Sequence, residues 1–252
     1  PAITPNSVVV LPFTSSDAVN NDLGVGLADS LTSKLGAVKL LTVGSANSDR
    51  VVEKKEKPEI STELGVQYIL TSSIEKSDIG FRVVSELFDG RNGKQMWQSG
   101  LAVDAKSDEL FTIVNRLGEK ILEAISIEPL PVEKEQFAKT YTQNELAYEL
   151  YLIGRSQMVM RSPESIRKAI AVFNRAKEED PNLVLAYTGL ADAYNLQSPF
   201  EIPAPKDSYP NAIENAKKAL AIDSELAEAH VSLGYATFFH LRDRSTAELE
   251  FR

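Results

Sequence analysis

The chain has 252 residues, 43% hydrophobic and 25% charged, ordinary values for one or two globular domains with a sizeable core. A formal net charge of -9 argues against the basic stripe that neutralises nucleic-acid phosphates, so no direct nucleic-acid contact is expected. The absence of cysteine excludes disulfide frameworks, thiolate zinc sites and cysteine nucleophiles together.

Residues 7–13, SVVVLPF, form a β-branched run closed by Pro12 and predict a buried strand. In residues 23–35, Leu23, Leu27, Leu31 and Leu35 recur every four positions, an apolar helical stripe with a cap expected at Asn21 or Asp22. A second strand is expected at 38–43 (VKLLTV). A short helix is expected at 58–65, opened by Pro58 and closed by Gly65. Three strands follow at 66–76, 81–89 and 95–104, joined by SDIG and GRNG, both turn sequences, and so predict an antiparallel meander. Residues 108–125 carry Leu110, Phe111, Ile113, Val114, Leu117, Ile121 and Leu122 at helical spacing, a long amphipathic helix. The order β-α-β-α-β-β-β-α describes one sheet covered by helices. Residues 1–125 are therefore expected to be an α/β domain. Residues 126–143, with two prolines and several charges, are expected to be a linker.

From 144 to 252 the strand patterns stop. Tyr187, Leu190, Ala191 and Tyr194 fit a first-helix pattern of W-x2-L-G-x2-Y, and His230, Leu233 and Gly234 fit it again. Ala169 and Phe173, Ala212 and Ala216, and Ala247 and Phe251 fit the A-x3-F of a second helix, with Pro181 and Ser224 in the loop position. Successive copies stand 43 positions apart, against about 34 in the tetratricopeptide repeat; the excess falls in QSPFEIPAPKDSYP. The expectation is an all-α tetratricopeptide repeat solenoid of two copies and a partial third, its small residues set where first and second helices meet.

Gly24 and Gly26 suggest a dinucleotide loop, but the third glycine position holds Asp29; the alternative is a helix start that tolerates little side-chain bulk. GRNGK (90–94) has the wrong spacing for a phosphate loop. His230 and His240 are the only histidines and neither has a second ligand nearby in sequence. No catalytic, cofactor or metal residue is expected, and the chain is read as no enzyme. A surface with a functional case is the groove lined by the first helices. Its inward positions are Tyr148, Tyr151, Arg155, Met158 and Val159 in the first copy. In the second they are Leu185, Thr188, Asp192, Asn195 and Leu196, and in the third Glu228, Val231, Tyr235, Phe238 and Phe239. Of these, Tyr148, Tyr151, Arg155, Thr188, Asp192, Asn195, Tyr235 and Phe238 are taken as the candidate partner-binding set, because aromatic and arginine side chains anchor peptides. The alternative is that some of them pack on neighbouring helices.

SVVVLPF, GLADSLTSKL, ELGVQYILTSSIEKSDIGFRVVSELFDGRNGKQMWQS and LFTIVNRLGEKILEAI resemble the TolB-like amino-terminal domain family. KTYTQNELAYELYLIGR, AIAVFNRAKEEDPNLVLAYTGLADAY and LAEAHVSLGYA resemble the repeats that follow it in bacterial signalling proteins. The loop after the first strand departs from that pattern, with TSSDAVNND where the family has an NLSGD-type sequence. The resemblance implies an α+β/α fold: a TolB-like sheet-and-helix domain followed by the solenoid. It implies a non-catalytic protein–protein interaction or sensory module, the extracytoplasmic (periplasmic) tail of an inner-membrane transcriptional regulator or kinase, with a protein or peptide as partner. A cytoplasmic location is the alternative for the compartment. For function, the alternatives are a small-molecule-binding α/β domain, with polar groups from Asn20–Asp22 and Ser45–Asp49, and a free-standing adaptor or envelope scaffold. The chain opens at Pro1 without Met and closes in a helical pattern, so it is expected to be a piece of a longer protein, touching a membrane only through a segment outside it.

Overall fold

The computed structural model describes residues 2–16, 18–44, 55–77, 80–102, 110–200 and 208–252. The chain's contacts divide it into two compact units, Pro1–Thr140 and Tyr141–Arg252. The first is mixed α/β. The described residues hold one five-stranded sheet and ten α-helices in all.

The sheet is built from β1 (Thr4–Val10), β2 (Thr42–Gly44), β3 (Val66–Ser77), β4 (Gly80–Asp89) and β5 (Lys94–Ala102), in spatial order β2-β1-β3-β4-β5. β1 runs parallel to both neighbours, whereas β3, β4 and β5 form an antiparallel meander. A strand paired on both edges and covered on both faces reads as a continuous apolar run, and Val8, Val9 and Val10 are accordingly buried. The second strand is shorter than its sequence predicts. Helix α1 (Ala18–Gly36) is followed by a turn over 37–40, with Val38 and Leu41 buried, and this leaves only 42–44 to pair.

Leu23, Leu27, Leu31 and Leu35 are fully buried along α1. Gly24 has a packing role: a Cβ there would lie 2.4 Å from the Phe13 carbonyl oxygen, so glycine lets α1 approach the backbone leaving β1. Helix α2 (Lys57–Leu64) has proline in its first turn and ends at Gly65 in the left-handed conformation, φ 67°, the N–H of Gly65 donating to Ser61 O. Helix α3 (Leu110–Ala124) packs on α1 and buries Leu110, Ile113, Val114, Leu117 and Ile121.

Within the segment expected as a linker, Pro131–Ala138 forms a further helix, α4. Pro131 occupies its first position, where a missing N–H costs nothing. The Glu133 carboxylate accepts from Leu130 N at 2.7 Å and from Lys39 N at 2.9 Å, fastening the start of α4 to the turn after α1. Phe137 is buried against Gly118 of α3, where a Cβ would stand 2.2 Å from the ring, and Lys34 lies over that ring at 5.2 Å.

The second unit is all helix among its described residues: α5 (Glu145–Val159), α6 (Pro163–Glu179), α7 (Val184–Phe200), α8 (Ser208–Ile222), α9 (Ala227–Ala236) and α10 (Arg244–Glu250). Each packs on the next in chain order, and α5–α7 and α7–α9 also touch. Asn144, Ser162 and Asp243 cap α5, α6 and α10 with side-chain oxygens that accept backbone N–H groups. Phe173 of α6 fills the space between α5 and α7. A Cβ on Gly154 would lie 2.4 Å from its ring, and one on Gly189 would lie 2.7 Å away. The small residues of these helices therefore make room for one aromatic ring.

Candidate functional site

Helix α9 changes pitch at its end. Thr237–Leu241 forms a π-helical turn, closed by Arg242 with φ 55°. Wide turns of this kind occur frequently at functional sites, because they redirect side chains that a regular helix would stack in line. Here the turn carries two phenylalanines and a histidine. The Tyr235 and Phe239 ring centroids are 4.6 Å apart, and Phe238 meets Phe239 edge-on at 5.0 Å. His240 reaches the Tyr209 ring of α8 at 5.8 Å. Tyr235 is half-buried, and desolvation raises its hydroxyl pKa, whereas Phe238 and Phe239 are 39% and 50% exposed. Mutually packed but solvent-facing aromatic rings provide rigid contact area with few torsions left to freeze on binding.

The eight candidate residues fall into separate environments. Tyr148 and Tyr151 are buried, stacked on each other at 5.8 Å, with Tyr151 also 6.0 Å from the Phe173 ring. Thr188 is buried and donates to the Leu185 carbonyl at 2.9 Å. Asn195 is buried and donates from Nδ2 to the Ser232 carbonyl at 3.0 Å. Its Oδ1 has no hydrogen-bond partner among the described residues. Asp192, half-buried, accepts from the Ser232 hydroxyl. Asp192 and Asn195 thus grip one residue of α9 from one face of α7, which is a helix-to-helix joint and not a solvent-facing pair. Arg155 is half-buried beside the Tyr151 hydroxyl at 3.4 Å. Tyr235 and Phe238 are the members of the set that come together in the aromatic cluster, with Phe239 from the wider set of inward positions. The polar pairing of Asp192 and Asn195 with Ser232 is signalled in sequence only by a serine on the neighbouring first helix, which spacing alone does not match to them.

His230 lies at the other end of α9. Its Nδ1 is 2.6 Å from the Glu250 carboxylate of α10, and its Nε2 is 2.9 Å from the Ser224 carbonyl. Both partner oxygens act as acceptors, so the imidazolium satisfies the arrangement better than either neutral tautomer. The pKa of His230 is raised, first by Glu250 and then by Ser224. This pair fastens α10 to α9.

In the first unit an apolar cleft of about 640 Å³ runs between α3 and α4, with Leu122, Ile127 and Phe137 on its floor and Glu119, Glu123, Glu128 and Lys134 around it. Lys134 pairs with Glu128 at 3.0 Å and Lys120 with Glu123 at 3.2 Å. Of the polar groups expected to converge in this unit, Ser45–Asp49 lie outside the described residues. Among the described residues, no group of three or more His, Asp or Glu is placed to hold a metal ion, and no helix is long and apolar enough to cross a membrane.

The candidate site is therefore an exposed aromatic surface on an all-helical unit that follows an α/β unit in sequence. No family model matches the sequence. A protein of Rhizobium meliloti (strain 1021) named "Putative adenylate cyclase 3" is 23% identical over 242 residues, covering 91% of this chain and 40% of the relative. The chain thus spans about two fifths of the length of the curated relative it matches. Among solved structures, TolB from Acinetobacter baumannii aligns over 52% of this chain and 30% of its own, with 17% identity and a TM-score of 0.38. A lipoprotein from Neisseria meningitidis aligns over 48% of this chain and 97% of its own, with 17% identity and a TM-score of 0.32. At these TM-scores neither likeness carries an argument.

Proposed function

We propose that this chain is a non-catalytic interaction and sensory module whose partner is a protein or peptide engaged through the Tyr235, Phe238 and Phe239 cluster. The observation that carries the proposal is the solvent exposure of rings that also pack on one another at 4.6 and 5.0 Å. An exposed aromatic cluster rimmed by polar groups is the surface chemistry of a binding site. The second unit is assigned to the tetratricopeptide class. Its support is the sequence spacing, the packing of each helix on the next, and the ring of Phe173 shared between glycines of two hairpins. The first unit is assigned to the TolB-like class on the sequence resemblance. By that resemblance, the module is the extracytoplasmic tail of a bacterial membrane-bound transcriptional regulator or signalling kinase. Signal would pass as a shift between populated states of the module on partner binding.

The similarity of nearly the whole chain to two fifths of a protein named "Putative adenylate cyclase 3" supports a second assignment of the effector. On this reading the same kind of module accompanies a cyclase in place of a winged-helix or kinase domain.

The test is site-specific photo-crosslinking in cells of the source organism. A benzophenone side chain is placed at Phe238 or, as the control, at Lys168, an exposed position on α6. The proposal expects a discrete protein adduct from position 238 and none from 168. No adduct from 238, or the same adducts from both positions, would overturn it.

A further inference from the structure

The cleft between α3 and α4 has a floor and a rim of different character. Leu122, Ile127 and Phe137 are buried beneath it. Its volume of about 640 Å³ falls within the range of about 300–1,000 Å³ usual for small-molecule sites. Glu119, Glu123 and Glu128 line it against a single basic residue, Lys134. Lys134 is taken up by Glu128 at 3.0 Å, and Lys120, behind the rim, by Glu123 at 3.2 Å. With both pairs formed Glu119 is left over, so the rim stays negative. The end of α3 adds to this. Its last turn carries no basic residue, so the negative end of the helix dipole is not offset there. The helix is closed by Ser126 N donating to Glu123 O at 3.1 Å and Ile127 N donating to Leu122 O at 2.9 Å, with Ser126 at φ 58°. Glycine is the ordinary residue at a left-handed closure of this kind. Serine is conformationally costlier there, and it brings to the cleft lining a hydroxyl that can accept from an N–H donor.

We propose that this cleft binds an amphipathic organic amine, its apolar body on Leu122, Ile127 and Phe137 and its ammonium group at the rim beside Glu119, Glu123 and Ser126. An ammonium held at the rim keeps part of its water, so the site buries apolar surface without burying a charge. A carboxylate of the same shape meets the same floor but a repelling rim, and a neutral molecule gains the floor alone. Glu123 is 74% exposed, so the preference for a cation is a screened one and weakens as salt is added. The cleft belongs to the first unit, whereas Tyr235, Phe238 and Phe239 belong to the second, so this proposal and the proposed function can fail independently.

The probes are three molecules with one apolar body and different heads: octylammonium, 1-octanol and octanoate. Each is titrated at neutral pH and low salt, below the concentration at which it self-associates, into the isotope-labelled full chain and followed by amide NMR. The expected result is saturable shifts at Ser126, Ile127 and Phe137, with octylammonium bound most tightly and octanoate about tenfold more weakly or worse. Added salt should narrow that gap and leave 1-octanol unchanged or slightly tighter. A Glu119→Gln, Glu123→Gln chain should lose most of the preference for octylammonium and keep its affinity for 1-octanol. Should that variant loosen α3, the three probes on the unaltered chain still decide. Absence of saturable shifts at these amides, equal affinity for the three probes, or tighter binding of octanoate would each overturn the proposal.

Discussion

Gly154 illustrates how a single residue's sign is decided by its neighbours. In an exposed helix, glycine to alanine stabilises by about 0.5–1 kcal/mol through the unfolded state. At Gly154 the new methyl would sit 2.4 Å from the ring of a fully buried phenylalanine that cannot move aside. Overpacking should win, and Gly154→Ala should destabilise the helical unit by about 1–3 kcal/mol. Gly36→Ala, with nothing within 4 Å of the added carbon, should be neutral or mildly stabilising. Urea unfolding of the two variants checks the contrast. His230 makes a second prediction. Its pKa is raised by Glu250 and the Ser224 carbonyl, with Glu225 also acting on it. The clasp therefore contributes fully below the ordinary histidine value near ~6.5 and is lost as pH rises through the higher folded value. Thermal melts of the helical unit should fall as pH rises above the ordinary histidine value, and Glu250→Gln should flatten that slope. An unchanged slope in the variant would remove His230 from the account. At this scale the sequence was partly legible. The small residues of the first helices were readable as contact points, but which ring they admit depends on a neighbour in space. Tyr148, Tyr151, Thr188 and Asn195 follow groove spacing and are buried, because spacing gives a direction from the helix axis and not what stands in that direction.

Among the elements, the long periodic ones were the most legible. The leucines of α1 and the apolar stripe of α3 identify themselves by period, and GRNG identifies the connection between β4 and β5, while the centre of SDIG lies outside the described residues. Helix α4 was hidden because Pro129, Pro131 and a run of charges read as a linker. The signals that mark it are proline at a first helical position, glutamate two residues later, and Phe137 six residues after the proline. Its attachment rests on the fit of Phe137 to Gly118 and on Glu133 joining Leu130 to Lys39. Phe137→Ala should destabilise the first unit by about 3–5 kcal/mol. It should also raise hydrogen exchange across 131–138 toward that of an unstructured segment. Protection that survives the substitution would show that α4 is held by something other than this ring. The π-helical turn after α9 was equally hidden, since TFFHL continues an ordinary apolar pattern and nothing in it announces a change of pitch.

For the molecule as a whole, the mixed α/β organisation of the first part and the helical character of the second follow from a change of period after about residue 144, which sequence displays well. The proposed binding surface is displayed poorly by sequence, because exposure of Phe238 and Phe239 depends on the pitch of one turn. The proposal that the module works as part of a larger membrane-bound signalling protein is tested most directly by its size and location in cells. Membrane and soluble fractions of the source organism are probed by immunoblot with antibody raised to this chain. The account predicts a membrane-fraction band well above 27.7 kDa, the mass of the 252 residues. A soluble band near 27.7 kDa would contradict it and leave a free-standing adaptor in its place.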